Sequence, residues 1–404
     1  MLGAGQIPNL LWAIAVISML ATSSCEMHDQ SDSVIQFSVT DTLAFDVGFP
    51  VLLNQSGTWE DHGTGETTFY FANTLTSRSL KRFNLNGVLV QEVSLAAGID
   101  TLGEASGVLL LDTDTILIFS PYGGTYVIVN GQGSIISVKN IQVQLVDSLG
   151  YEYELMTSVN GNILVRGGIV FQAYCRGNQY DSISTKTDYS EAFTFYDNVG
   201  RSAHIAILRD YTTTPTLSFI LEDYYYNTCK QTERHPRLWV EPPLYSCVDD
   251  EVWVYSVYTP VVHRINVRTE IIDSLIVSSE QGPVHCQIPP LYEAQLQNGQ
   301  ELINKRFKEL PHIKIVIPIP KIDRVLVVVS NPNKNDENGS VGYGWSYILL
   351  NSRGNRIGEA RVSELDHIGN NLILAGDHIW VQRATTPKDM RAGLLRFDEL
   401  KILK

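Results

Sequence analysis

The 404-residue sequence contains no HExxH pair for zinc, no GxSxG nucleophile elbow, no phosphate-binding loop and no GxGxxG opening a helix. Chemistry of the single-motif kind is therefore not indicated, and neither a metal nor a cofactor is expected. A site assembled from separate segments is untouched by that absence. CxxC is missing as well. Cys175, Cys229, Cys247 and Cys286 are too widely spread for the close ligand pairs of a zinc site. They leave two disulfides or buried free thiols open. Positive charge is scarce: 30 Lys and Arg face 44 Asp and Glu, and no basic run occurs. That balance has the wrong sign for gripping nucleic acid phosphates. Disorder of the whole chain is excluded by composition, since 44% of residues are hydrophobic and only 18% are charged.

Long apolar runs are also lacking. None reaches the roughly 20 residues a membrane-spanning helix needs. The run Leu10–Ala21 falls short, lies in a stretch of 24 residues without a charge, and is followed by the small residues Thr22, Ser23 and Ser24. It reads as the apolar core of a signal peptide spanning residues 1–24. Small residues directly before Cys25 resemble a lipobox, where bacterial lipoproteins are cleaved and the new N-terminal Cys is acylated. The resemblance implies a lipidated Cys25 with residues 25–32 as a tether. It departs from the pattern at Thr22, where a large aliphatic residue is usual; ordinary signal peptidase cleavage after Ser23 and a structural buried Cys are the alternatives.

Helical periodicity is hard to find in the remainder. Short runs of Val, Ile, Tyr and Thr recur between turn residues. FYFANTLTSRSLKRFNLNGVLVQEVSL from Phe69 lines up with ILIFSPYGGTYVIVNGQGSIISV from Ile116. VWVYSVYTPVVHRINVRTEIIDSLIV from Val252 and the stretch from Val325 follow the same plan: strand, polar residue, loop, strand, tight turn, strand. Asn86-Gly87 and Asn130-Gly131 suit two-residue hairpin turns. A further strand precedes each unit, as in GVLLLD, PLYSCV and IKIVIPI. The repeating unit is thus a four-stranded meander of roughly 40–60 residues, the size of a propeller blade. The expected fold is all-β: a six-bladed β-propeller, residues 33–404, with blades at 48–98, 104–147, 148–212, 240–280, 300–362 and 366–404. The last offers three strands, and residues 33–46 complete it and close the ring. Seven blades result if residues 211–240 hold another.

These residues carry a second likeness. The Cys25 leader, the SLKRFNLNGVLVQEVSL and PLYSCVDDEVWVYSVYTPVVHRINVRT blades and the closing LLRFDEL strand resemble uncharacterised six-bladed β-propeller lipoproteins of Gram-negative bacteria, grouped as a domain of unknown function. The chain departs at LAAGIDTLGE, where such proteins carry a Gly-Pro-Asn-Gly turn. The resemblance implies a fold and a location, an outer-membrane lipoprotein facing the periplasm or the cell surface. It implies no activity.

In a propeller the B–C and D–A connections share one face, and the A–B and C–D turns share the other. Gln172–Ser190, Tyr211–Trp239, Ser279–Leu310, Asn331–Tyr343 and Ala384–Arg391 are all of the first kind, whereas the A–B and C–D turns are short except at Gln55–Thr67. Insertions gathered on one face mark a binding face. Candidate contacts there are Glu222, Asp223, Tyr225, His235, Arg237, Trp239, Tyr343 and Trp345, whose mixture of aromatic faces, guanidinium and carboxylates suits a glycan, peptide or envelope-protein partner. Packing of the loops onto the ring is the competing role for each. Asn331, Asn333, Asn335, Asp336 and Glu337 make an oxygen-rich loop, the one place where calcium could bind, although the EF-hand order is absent. The expectation is a lipid-anchored binding or scaffold module. The alternative is a propeller enzyme of glycan lyase, hydrolase or lactonase type working at the channel mouth.

Overall fold

The computed structural model describes residues 36–50, 56–60, 64–120, 124–141, 144–146, 152–156, 164–165, 167–175, 205–220, 244–257, 259–279, 282–283, 311–331, 344–362, 367–375, 378–383 and 387–403. Among the described residues six antiparallel blade sheets follow one another along the chain, and Ser278–Ser279 pairs with Gly282–Pro283 as a separate two-stranded ribbon. Blade one holds Ser56–Glu60, Thr67–Asn73, Ser79–Asn84 and Leu89–Ser94 as strands A to D. Blade two holds Gly107–Asp112, Thr115–Phe119, Thr125–Val129 and Ile135–Asn140. In blade three, strand A comes in two pieces, Tyr153–Met156 and Leu164–Val165, both paired with Gly168–Cys175. Ile205–Arg209 and Thr216–Ile220 complete that blade. Blade four is Leu244–Val248, Glu251–Tyr255, Val261–Asn266 and Ile272–Ile276; blade five is His312–Ile319, Arg324–Asn331, Gly344–Asn351 and Arg356–Val362. Blade six takes His367–Ala375, His378–Arg383 and Leu394–Leu403 from the C-terminal end and Gln36–Asp46 from the N-terminal end. The chain is therefore a six-bladed β-propeller closed by its first strand. Segment 36–46 pairs antiparallel with 394–403, from Gln36 opposite Leu403 to Asp46 opposite Leu394.

Strand period explains the packing. Successive side chains in a strand point to opposite sheet faces, and in a propeller both faces are covered by neighbouring blades. The B strands accordingly read as continuous apolar runs. Ile116 and Ile118 pack towards blade one, and Leu117 and Phe119 towards blade three. Val252 and Val254 face blade three, while Trp253 and Tyr255 face blade five. Leu326 and Val328 meet Ile379 and Val381 of blade six. The ring closes through an aromatic cluster: Phe45 of the first strand and Phe397 of the last contact Phe69, Phe71 and Phe83 of blade one. Each large apolar side chain taken out of water there contributes about 1.5–3 kcal/mol before the cost of ordering it. Hydrogen bonds tie adjacent inner strands. Trp59 Nε1 donates to Leu111 O at 2.7 Å, Thr58 Oγ1 to Leu374 O at 2.9 Å, and Ser246 Oγ to Val316 O at 2.6 Å.

Several sequence expectations need correction. Ile205–Arg209, read as the end of blade three, is its third strand; Thr216–Ile220 is the outer one. Part of the segment on which a seventh blade would depend thus belongs to blade three. SGTWE forms strand A of blade one, so the long turn placed at Gln55–Thr67 shrinks to residues 61–66. LAAGIDTLGE contains a helix, Ala96–Leu102, whose Gly98 sits so tightly on blade two that a Cβ would lie 2.5 Å from Ile118 Cδ1.

The hairpin turns are also framed differently. Positive φ falls on Gly87, as expected, but on Gly133 rather than Gly131. The repeating unit is Asn-x-x-Gly. Asn84 and Asn351 end a C strand and Asn130 directly follows one, and each side chain accepts from two backbone N–H groups of its own turn. Gly87, Gly133 and Gly354 then donate back to the carbonyls of those asparagines. An Asn side chain standing in for backbone acceptors, followed by a residue free to adopt positive φ, specifies this turn locally.

Candidate functional site

Strand bounds sort the connections onto two faces. The A–B and C–D connections run between two and six residues, from 113–114 to 210–215. The three longest connections, 176–204, 221–243 and 277–311, all belong to the other face. The strands that anchor their ends run from strand B of blade three to strand A of blade five, so the attachment points fall in one sector of the ring. Connection 332–343 of blade five adds to that sector, and residues 384–393 of blade six, with the helix Pro387–Ala392, share the face. Strand B of blade three continues to Cys175, so that connection starts later than the Gln172 read from sequence.

Glu222, Asp223, Tyr225, His235, Arg237 and Trp239 fall in 221–243, outside the described residues, as does Tyr343. Trp345 is described. It is the second residue of strand C in blade five, opposite Ser330, and it packs half-buried against the cluster between blades five and six. Its indole is thus committed at least in part to holding the blade together. Of the oxygen-rich loop, Asn331 ends strand B, and its Nδ2 donates to Ser346 Oγ at 2.7 Å. Asn333, Asn335, Asp336 and Glu337 lie outside the described residues. Among the described residues no three His, Cys, Asp or Glu side chains converge to hold a metal ion.

A thiol and an imidazole of blade four both have perturbed chemistry. Cys247, on the inner strand of blade four, is a free buried thiol, and burial pushes its pKa well above the ordinary value. His263, on strand C of the same blade, has its pKa lowered by burial; its Nδ1 lies 2.8 Å from Ser274 Oγ. Cys175 contributes backbone to strand B of blade three; Cys25, Cys229 and Cys286 lie outside the described residues.

The short-turn face carries a cleft of about 350 Å³ between blades four and five. Its walls are the A–B turns of the two blades, Asp249-Asp250 and Pro320–Asp323. Asp249 and Asp323 both take the left-handed conformation, at φ 51° and 52°, which Asp tolerates better than most residues. Arg264 stacks over Trp253, with Cζ 5.7 Å from the ring, and pairs with Asp273 at 2.8 Å. Trp253 Nε1 in turn donates to Glu251 Oε2 at 3.1 Å. Arg324 donates to the carbonyl of Asp323, and Ser352 donates to the Asp323 carboxylate. The lining therefore offers carboxylate acceptors beside two guanidinium donors over an apolar floor. It suits a polar ligand bound by hydrogen bonds in both senses, and no His or Cys lines it. Sequence reasoning placed nothing on this face. The available signal was the acidic pair VDDE, which reads as an ordinary tight turn.

Solved structures resemble this chain over nearly its whole length. A member of the DUF4221 family from Bacteroides vulgatus ATCC 8482 superposes with a TM-score of 0.64 over 92% of this chain and 99% of its own, at 16% identity. What the two share is a fold. A candidate exported protein from Bacteroides fragilis NCTC 9343 covers 93% of this chain and 97% of its own at 11% identity, with a TM-score of 0.50. No protein-family model matches the chain, and no curated protein matches it. At these identities the likeness carries architecture alone, and function rests on the site.

Proposed function

We propose that the chain is a lipid-anchored cell-envelope module that binds a glycan, peptide or protein partner through its loop-rich face. One observation carries this reading: the strands that anchor the three longest connections, 176–204, 221–243 and 277–311, all end on one face of blades three to five. A ring of strands ties each connection at both ends, so loop sequence can vary for recognition without disturbing the core. Glu222, Asp223, Tyr225, His235, Arg237 and Trp239 share the second of those connections and are the proposed contacts. The envelope location draws on the Cys25 leader, and the description of the Bacteroides fragilis structure as a candidate exported protein agrees with it.

The test replaces residues 221–243 by a short Gly-Ser linker and screens the full-length and shortened chains on glycan and peptide arrays. A ligand bound by the full chain and lost from the shortened one supports the proposal. Equal binding by both chains sinks it, and substrate turnover by the full chain would move the assignment to an enzyme. Anchoring is tested separately. Cys25→Ser should move a folded chain from the membrane to the soluble fraction.

A further inference from the structure

Direction of the first strand has a spatial consequence. Gln36 lies opposite Leu403, and Leu400 lies opposite Ile379, next to the A–B turn of blade six. Asp46, at the other end of the strand, leads into the D–A connection 47–55. The chain therefore enters the propeller from the short-turn face, at the rim of blade six.

Cys25 precedes Gln36 by about eleven residues, a span of at most roughly 36–40 Å when fully extended. The first strand is itself 11 residues long, and at ~3.4 Å per residue it covers roughly 37 Å of blade six. A tether from Cys25 would have to lie fully stretched along the whole blade to bring its anchor level with the loop-rich face. Every shorter path leaves the anchor on the side of the short turns. That side also presents bare aliphatic tips. Val88 of blade one, Ile271 of blade four and Ile322 of blade five are 57%, 60% and 46% exposed in its turns.

We infer that the short-turn face is the one held against the lipid bilayer, with Val88, Ile271 and Ile322 as its contact points, so that the loop-rich face points away from the membrane. The inference rests on the acyl anchor proposed at Cys25. Tether length and strand direction choose the face; the three tips, spread over blades one, four and five, let the ring sit flat instead of hanging by its rim. Aliphatic side chains at exposed turns partition into the headgroup boundary without crossing it.

The experiment uses the full chain with its leader, produced in a Gram-negative host. The photoreactive residue p-benzoylphenylalanine replaces Ile271 or Ile322, and, as the opposing probe, Leu75, which is 72% exposed in the B–C turn of blade one. Membranes are irradiated and phospholipid adducts are measured by mass spectrometry, with protease resistance confirming that each variant is folded. Adducts at Ile271 and Ile322 several-fold above those at Leu75 are expected. Adducts at Leu75 equal to or above the others, or none at any position in membrane-bound protein, overturn the orientation and leave the anchor standing. A chain found in the soluble fraction overturns anchor and orientation together.

Discussion

Thr42 donates a 2.7 Å hydrogen bond to Asp398 Oδ1 across a sequence separation of 356 residues. Asp398 is completely buried, and its other oxygen accepts from Arg383 Nε at 2.8 Å. One carboxylate thus joins three strands of blade six, including the strand that closes the ring. Asp398→Ala leaves both donors without that acceptor and opens a small void. The expected loss is about 1–3 kcal/mol, read from the urea midpoint. An unchanged midpoint would mean that the aromatic cluster alone holds the closure.

Gly133 and Gly65 both have positive φ, at 79° and 70°, yet their surroundings differ. A Cβ on Gly133 would meet Ser94 O at 2.3 Å, whereas one on Gly65 meets nothing within 4 Å. Gly65→Ala should therefore cost only the conformational term, about 1–2 kcal/mol, and Gly133→Ala clearly more, on the order of 2–4 kcal/mol. Thermal melts of the two variants side by side check the difference. Equal losses would show that the turn of blade two gives way easily.

Buried tyrosines set an alkaline limit. Burial raises Tyr70 to about 12 against an ordinary 10.0, and it raises Tyr126, Tyr255 and Tyr347 as well. Folded-state values above the unfolded ones mean that stability is full below pH 10 and falls as pH rises beyond it. Urea midpoints taken from pH 8 to 11 should be level at first and then drop. Tyr255→Phe, which removes one such group, should soften the drop. A fall beginning well below pH 9 would point to a different group.

The burial of Cys247 makes a chemical prediction. A thiol enclosed between blades three and four, with its pKa pushed up, is neither exposed nor ionised near neutrality. Iodoacetamide at pH 8 should leave the Cys247 peptide unlabelled in native protein and label it fully in urea, as read by peptide mass spectrometry. Prompt labelling of native protein would mean that blade four opens locally.

Histidine supplies the acid-side counterpart. Burial lowers the pKa of His263, so the unfolded chain binds its proton first as pH falls below 6.5. Stability should hold above pH 6.5 and decline below it until the folded-state value is passed. His263→Gln should flatten that part of the curve, and a parallel decline in the variant would assign the effect elsewhere.

The blades were legible because B strands buried on both faces are written as unbroken apolar runs, such as VWVY and VLVVV. Ring closure was legible for a related reason: the last blade lacked a strand and the first apolar segment lacked a blade. Outer strands are harder to see. Thr216–Ile220 is only half-buried, so TLSFI carries little apolar contrast. SGTWE forms an inner strand with no apolar run at all, fixed instead by Thr58 and Trp59 reaching backbone carbonyls of the neighbouring blades. The helix Ala96–Leu102 has no side-chain cap and only seven residues, too few for a periodic signal. At the candidate site, the sorting of loops by face followed from strand order. The cleft did not, because its walls come from two turns more than 70 residues apart, Asp249-Asp250 and Pro320–Asp323.

Because the first strand pairs only with the last, the molecule cannot finish folding in the order in which it is made. During synthesis or export, Gln36–Asp46 emerges hundreds of residues before Leu394–Leu403, the segment it must pair with. Five blades can form while that segment waits, and the ring stays open with unpaired strand edges until Leu394–Leu403 arrives. A chain cut short by even one strand at its C-terminus therefore leaves both the waiting segment and blade one uncovered. Such a product should be conspicuous to proteases and chaperones, so that arrival of Leu394–Leu403 itself becomes the signal that the propeller is sound.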